Sequence, residues 1–197
     1  MSIKIITISR EFGSAGRAIG EKLAERLGIP CYDKEIIESV AEKSGFDKDY
    51  VDEKGEYIRN APFSNIFKSN VYYKSSNEDI IFEIQSNTIK DFADKGPCVI
   101  VGRCADYVLR ERDDVFNVMI YSDFNSRIER IINVYGEKAE TAEKRIKYKD
   151  KSRSSYYQFY TDMKWGDARN YDIWLNSGSL GFDRCVNILY DIVESKS

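Results

Sequence analysis

Short apolar runs with the length of β-strands alternate with helical patterns along the chain, and this alternation constrains the fold more than any other feature. Between the runs, apolar residues recur at helical spacing, as at Ile19, Leu23 and Leu27. Strands separated by helices form a parallel sheet covered on both faces, with the ligand edge at the carboxyl ends of the strands. The strand-like runs are KIITI at 4–8, PCYD at 30–33, CVIVGR at 98–103, VFNVMIY at 115–121 and DIWLN at 172–176.

The stretch REFGSAGR follows the first strand and precedes the first helix. Gly13 and Gly16 permit backbone conformations closed to other residues, and the small Ser14 and Ala15 let an anion approach the backbone. A helix N-terminus directs free N–H groups at that anion, and Arg17 adds a guanidinium suited to phosphate oxygens. The loop is therefore predicted to bind phosphate through Gly13, Ser14, Ala15, Gly16, Arg17 and Ala18.

This loop departs from the usual phosphate-binding patterns. Arg17 stands in the place of lysine, and Ala18 and Ile19 leave no hydroxyl for a metal or phosphate. A tight turn without a ligand remains an alternative. A dinucleotide-binding fold is another, with Asp33 as the carboxylate that contacts the ribose.

Two further stretches carry charges that suit an anionic ligand. In VGRCAD, Arg103 follows a buried strand and is predicted to grip an anionic substrate, while Asp106 orients it or binds a metal. Farther along, a basic segment at about 127–157 places Arg145, Lys149 and Arg153 at i, i+4 and i+8 of a helix. Like charges at this spacing cost helix stability unless an anion or carboxylates elsewhere offset them. A solvated helix face is the alternative interpretation of this segment.

Composition excludes several classes of function. The chain of 197 residues contains no histidine, which excludes histidine bases and histidine metal ligands, and its four cysteines form no CxxC pair. A net charge of −3 argues against nucleic acid as a partner. The apolar runs are too short to span a membrane, and no signal peptide is apparent, so a cytoplasmic location is predicted.

Taken in order, the stretches ISREFGSAGRAIGEKLAERLG, YDKEII, VIVGRCADYVL and YKDKSRSSYYQFYTDMKWGDARNYDIWLN resemble the cytidylate kinase-like family of P-loop proteins. The resemblance covers most of the chain. It implies a single domain over 1–197 with a three-layer α/β fold of the P-loop nucleoside-kinase type, a five-stranded parallel sheet and a helical lid at about 127–157. It also implies phosphoryl transfer from ATP, with Mg²⁺, to a nucleoside monophosphate such as CMP or dCMP.

The same resemblance assigns roles to individual residues. It places ATP on the loop from Gly13 to Ala18, with catalytic roles for Arg17 and for Lys149 and Arg153 of the lid. The acceptor would lie between Asp33, a mobile region at about 46–76 and Arg103. The remaining residues implied to bind the acceptor are Asp106, Asp150 and Asp172.

Ser39 stands where true cytidylate kinases have an arginine for the acceptor phosphate, which leaves the acceptor open. The altered loop also keeps a second hypothesis in view, a nucleotide-binding or sensor protein without catalysis. The metal ligands and the oligomeric state are not fixed by the sequence.

Overall fold

The computed structural model describes residues 2–56 and 76–196 of the chain. Within these residues, five parallel strands form one sheet in the order β2-β3-β1-β4-β5. The strands are β1 (Ile5–Arg10), β2 (Cys31–Tyr32), β3 (Cys98–Val101), β4 (Val115–Tyr121) and β5 (Ile173–Asn176). This order differs from the 3-2-1-4-5 order of the classic dinucleotide fold, so that alternative is wrong.

Helices connect the strands and cover both faces of the sheet. They are α1 (Gly16–Leu27), α2 (Lys34–Ser44), α3 (Lys48–Lys54), α4 (Asn77–Asp94), α5 (Ala105–Val108), α6 (Phe124–Tyr135), α7 (Ala139–Thr161), α8 (Ser177–Leu180) and α9 (Phe182–Glu194), with a 3₁₀ turn at Ala168–Asn170. The predicted strands and the long helices are confirmed, with boundaries that shift by one to two residues. The sequence analysis missed the short α8, which begins where the side chain of Asn176 accepts hydrogen bonds from Gly178 and Ser179.

The central strand β1 divides the core into two layers because its side chains alternate between the two faces of the sheet. Ile6 and Ile8 pack with residues of α1 and α9. Ile5 packs on the opposite face, against residues of α2 and α4. A strand buried on both sides fixes its own carboxyl end, which is where the loop after β1 begins.

The predicted mobile region at 46–76 falls largely outside the described residues. Its described part contains α3. Asp47 caps α3 by accepting a hydrogen bond from Asp49 N–H. Gly55 and Glu56 follow this helix and lie at the carboxyl edge of the sheet.

Candidate functional site

A cleft of about 720 Å³ opens at the carboxyl edge of the sheet, a volume typical of small-molecule sites. It gathers residues from the loop after β1, the start of α2, the end of α3, the loop after β3 and the basic helix α7. The predicted site residues that line it are Gly13, Ala15, Gly16, Arg17, Ala18, Asp33, Arg103, Lys149 and Arg153. Ser14, Asp106, Asp150 and Asp172 are not among the lining residues.

The loop after β1 takes a strained path into α1. Gly13 has φ +83° and Ala15 has φ +63°, so the left-handed turn falls on Ala15 rather than on Gly16 as the sequence predicts. Gly16 serves close packing instead, because a Cβ there would lie 2.5 Å from Cβ of Arg10. The turn leaves the amide groups of the first turn of α1 without partners inside the helix, which suits an anion.

Ser14 points away from the cleft. Its side chain is fully buried, with Oγ 2.9 Å from Glu11 O and 3.1 Å from Ile120 O. Ser177 Oγ in turn donates to Ser14 O at 2.6 Å. The Ser14 hydroxyl therefore anchors the loop to the sheet. The prediction that Ser14 binds a phosphate concerns its backbone and not its side chain.

Arg17 is held by two carboxylates at the cleft. Its Nε lies 3.0 Å from Glu21 Oε1 and 3.0 Å from Asp33 Oδ2, and its side chain remains 45% exposed. Asp33 occupies the N-cap position of α2, but its side chain makes no capping hydrogen bond. The carboxylate of Asp33 faces Arg17 instead, which connects the phosphate loop to the opposite wall of the cleft.

Arg103 lies at the bottom of the cleft, directly after β3. Its backbone is left-handed with φ +59°, and the residue is 3% exposed. Nη2 donates to Asp52 at 2.7 Å, whereas Nε and Nη1 are buried and have no hydrogen-bond partner in the part of the chain that the structure describes. A buried guanidinium with unpaired donors is suited to receive an anionic ligand.

The basic helix α7 is attached to the end of β1 and to the loop that follows it. Asp150 Oδ1 accepts a hydrogen bond from Phe12 N–H at 2.8 Å. Its Oδ2 forms an ion pair with Arg127, whose Nη1 lies 2.5 Å away. Arg153 donates to Arg10 O at 3.2 Å. Asp150 therefore fastens α7 to the loop after β1, with a protein partner at each carboxylate oxygen, and its contact with a substrate stays a prediction.

Asp106 and Asp172 lie outside the cleft. Asp106 is buried and accepts a hydrogen bond from Tyr157 at 2.7 Å, so it does not orient Arg103 as predicted. Burial raises its carboxyl pKa, an effect that the Tyr157 hydrogen bond only partly opposes. Asp172 precedes β5, at the amino end of the strand, and its carboxylate accepts from Asn117 N–H at 2.7 Å. Both carboxylates support the framework of the sheet and α7.

Sequence reasoning missed Glu56 and Arg10, which occupy the centre of the cleft. Arg10 forms an ion pair with Glu56, and Arg153 Nε lies 3.4 Å from Glu56 Oε2. Arg10 could have been predicted from the sequence, since it ends a buried strand, much as Arg103 closely follows one. Glu56 offered none, because it lies in a polar segment with many other acids.

Three comparisons with known proteins point the same way. A family model described as "Cytidylate kinase-like family" matches residues 5–179. A cytidylate kinase of Archaeoglobus fulgidus is 25% identical over 194 residues, across 97% of this chain and 95% of that protein. The crystal structure of an uncharacterized protein from Eubacterium ventriosum has a TM-score of 0.74 at 30% identity, covering 98% of this chain and 99% of that one.

A shikimate kinase from Bacteroides thetaiotaomicron has a TM-score of 0.56 at 13% identity, covering 96% of this chain and 98% of the other. At that identity the likeness concerns the fold alone. No described helix is both long enough and apolar enough to cross a membrane.

Proposed function

The chain belongs to the cytidylate kinase-like family, and from that premise we propose that it transfers the γ-phosphoryl group of ATP to a nucleoside monophosphate. CMP or dCMP is the leading acceptor. The sheet and its helical layers form the P-loop kinase fold, and the family supports a nucleotide kinase-like role.

One observation carries the proposal. The backbone of the loop from Gly13 to Ala18 and the cations Lys149 and Arg153 of α7 line the same cleft. Phosphoryl transfer depends on positioning and charge neutralisation more than on a reactive side chain, so a chain without histidine is suited to it. The loop would hold the donor phosphates, and the α7 cations would neutralise charge on the transferring group.

In this proposal an oxygen of the acceptor phosphate attacks the γ-phosphorus of ATP. The bond between that phosphorus and the β–γ bridging oxygen breaks, and ADP leaves with the bridging oxygen. Arg17 would move from Asp33 to the donor phosphates, because a polyphosphate carries more charge than one carboxylate. Asp33, once released, would face the acceptor.

The carboxylates of the cleft fit a magnesium ion that arrives with ATP. Mg²⁺ in kinases is bound by one or two carboxylates together with substrate phosphates and water. Among the described residues, no group of three or more acids or cysteines is placed to hold a metal ion. The ion would neutralise charge on the phosphates, and Asp33, which lines the cleft, is one carboxylate that could contribute.

A second candidate is a nucleotide-binding protein without catalysis. The contacts of Arg17 favour this candidate, since Glu21 and Asp33 already pair with the guanidinium and no residue with a hydroxyl follows Arg17 in the loop. Such a protein would bind ATP and turn over no acceptor.

The test is an assay of the full chain with ATP and Mg²⁺ against a panel of nucleoside monophosphates, nucleosides and other phosphate acceptors, following ADP formation. We expect ADP formation that depends on a nucleoside monophosphate. ATP binding without turnover of any acceptor would select the second candidate, and the absence of nucleotide binding would reject both.

A further inference from the structure

Two adjacent tyrosines near the end of α7 make buried hydrogen bonds to two different elements. Tyr157 donates to Oδ2 of Asp106, on α5, at 2.7 Å. Tyr156 accepts from Nε2 of Gln85, on α4, at 3.2 Å. Tyr156 is only 2% exposed and Tyr157 only 3%, so neither hydroxyl faces open solvent. The second half of α7 is thereby joined to two elements at once.

The partners of the two tyrosines are both attached to the loop after β3. Gln85 Nε2 also donates to Arg103 O at 3.5 Å, and Asp106 lies in the first turn of α5, which follows that loop. Arg103 and Cys104 are both left-handed, with φ +59° and +57°. Residues with a Cβ keep this uncommon conformation only where the surrounding structure enforces it. The tyrosines are therefore bonded to a firmly held part of the carboxyl edge of the sheet.

Hydrogen bonds from two adjacent residues constrain how a helix is rotated. Successive side chains of an α-helix point about 100° apart around its axis. Because each hydrogen bond needs a narrow range of distance and angle, bonds in two such directions fix the rotation of the helix as well as its distance from its partners. The rings also pack against Cys104, but apolar packing is non-directional. The hydroxyls are therefore the part of the two tyrosines that selects one rotation.

The rotation of α7 matters because this helix carries cations on opposite faces. Lys149 and Arg153 line the cleft, and Arg153 lies one turn before Tyr157 on the same face. Lys147 and Lys151 are exposed on the other side, since residues two apart in a helix point about 200° apart. Attraction to an anionic ligand would suit either face. Charge alone therefore does not determine which cations enter the cleft.

We propose that the hydroxyl groups of Tyr156 and Tyr157 set the rotation of the second half of α7, and so determine which of its basic faces enters the cleft. The inference rests on the proposed function, in which Lys149 and Arg153 neutralise charge on the transferring phosphoryl group. The two tyrosines are positioning residues, because neither lines the cleft. They act through the cations that precede them by one and two turns of the helix.

The experiment measures phosphoryl transfer by the full chain after the hydroxyls are removed. Tyr156→Phe and Tyr157→Phe keep the rings and delete one hydrogen bond each. We expect kcat of the double variant to fall on the order of tenfold, because a small misplacement of charge-neutralising groups slows a reaction steeply. The KM for ATP should stay the same, since the loop after β1 holds the donor. Tyr148→Phe makes the same change on the exposed face of α7 and should leave kcat unchanged.

Two further comparisons separate positioning from a general loss of stability. In an Arg153→Gln background, Tyr157→Phe should slow transfer less than it does in the wild type, because the hydroxyl acts through that cation. An equal loss in both backgrounds would contradict the inference. Asp106→Asn keeps an oxygen that accepts from Tyr157, so it should retain most of the activity that Asp106→Ala loses. Equal losses in these two variants would also count against it.

Hydrogen exchange followed by mass spectrometry tests the hold on α7 without any nucleotide. We expect faster exchange in the second half of α7 in the double variant. The first half, which packs through Ala142 and Ile146, should exchange as in the wild type. Unchanged exchange throughout α7, or an unchanged kcat, would overturn the inference. If the double variant does not fold, Tyr157→Phe alone decides by the same two measurements. A wild type that transfers to no acceptor would defeat the proposed function, and the exchange rates would still decide whether the hydroxyls hold α7.

Discussion

Arg17 Nε lies 3.0 Å from Asp33 Oδ2, so the one arginine inside the phosphate loop is joined to the opposite wall of the cleft. In the proposed reaction this contact couples donor binding to acceptor binding. We expect a polyphosphate at the loop to compete with Asp33 for Arg17 and so to free Asp33 to face the acceptor.

Asp33→Asn tests this coupling. We expect tighter ATP binding, by a few-fold, because the amide releases Arg17, together with a lower turnover of the acceptor. Glu21→Gln is the matched control, since Glu21 contacts the same Nε but lies on α1 and is half-exposed. The control should leave the turnover of the acceptor unchanged. Equal effects of the two variants on this turnover would contradict the proposed coupling.

Arg17→Ala should weaken ATP binding and slow transfer by about tenfold or more, because it removes a charged hydrogen-bond donor from the phosphates. Lys22→Ala, on the same helix, removes an exposed cation that pairs with Glu25. Steady-state kinetics with varied ATP would measure both variants. An Arg17→Ala protein with the activity of Lys22→Ala would exclude Arg17 from the donor site.

Asp150→Ala tests the attachment of the lid to the loop. It leaves Phe12 N–H without its acceptor and takes one of two carboxylates from the buried guanidinium of Arg127, which keeps Glu11 at 3.6 Å, so we expect the free energy of unfolding to fall by about 2 kcal/mol. Transfer should also slow, since Lys149 and Arg153 lie on the same helix. Glu140→Ala removes an exposed acid of α7 and should change stability by less than about 0.5 kcal/mol. Denaturant titration compares the two, and equal losses would mean that Asp150 does not hold the lid.

Glu56 also predicts a dependence of stability on pH. The folded protein holds its pKa below the usual value of 4.5, so its contribution is complete above that value and is lost as pH falls toward the lower, folded pKa. The stability advantage of the wild type over Glu56→Gln should therefore shrink between about pH 6 and about pH 3. Thermal unfolding of both proteins across this range measures the difference. A constant difference would mean that the arginines do not perturb Glu56.

The sequence predicted the strands and long helices because their evidence is local. β3 is an unbroken apolar run, β1 and β4 are mostly apolar, and Gly28 and Gly45 end α1 and α2 in the left-handed conformation. The cleft was predicted in part for a similar reason, since residues that follow parallel strands share one edge. Arg103 lies there because it comes directly after β3.

Local sequence patterns could not predict which way a side chain points or which distant residue it contacts. Asp106 lies one residue into α5, as its position in the sequence suggests, yet its carboxylate contacts Tyr157 of α7, fifty-one residues away. Asp150 contacts Phe12 at an even greater separation. The role of Glu56 depends on three arginines that the fold brings together from β1, the loop after β3 and α7. No spacing of these residues in the sequence indicates that they lie close together.

The most direct test of the central claim follows the phosphoryl group itself. The full chain is incubated with Mg²⁺ and ATP labelled in the γ-phosphate, with CMP, dCMP or another nucleoside monophosphate present, and the products are separated by chromatography. We expect the labelled phosphoryl group to appear in the corresponding nucleoside diphosphate. Label that stays in ATP, or appears only as inorganic phosphate with every nucleoside monophosphate tried, would contradict it.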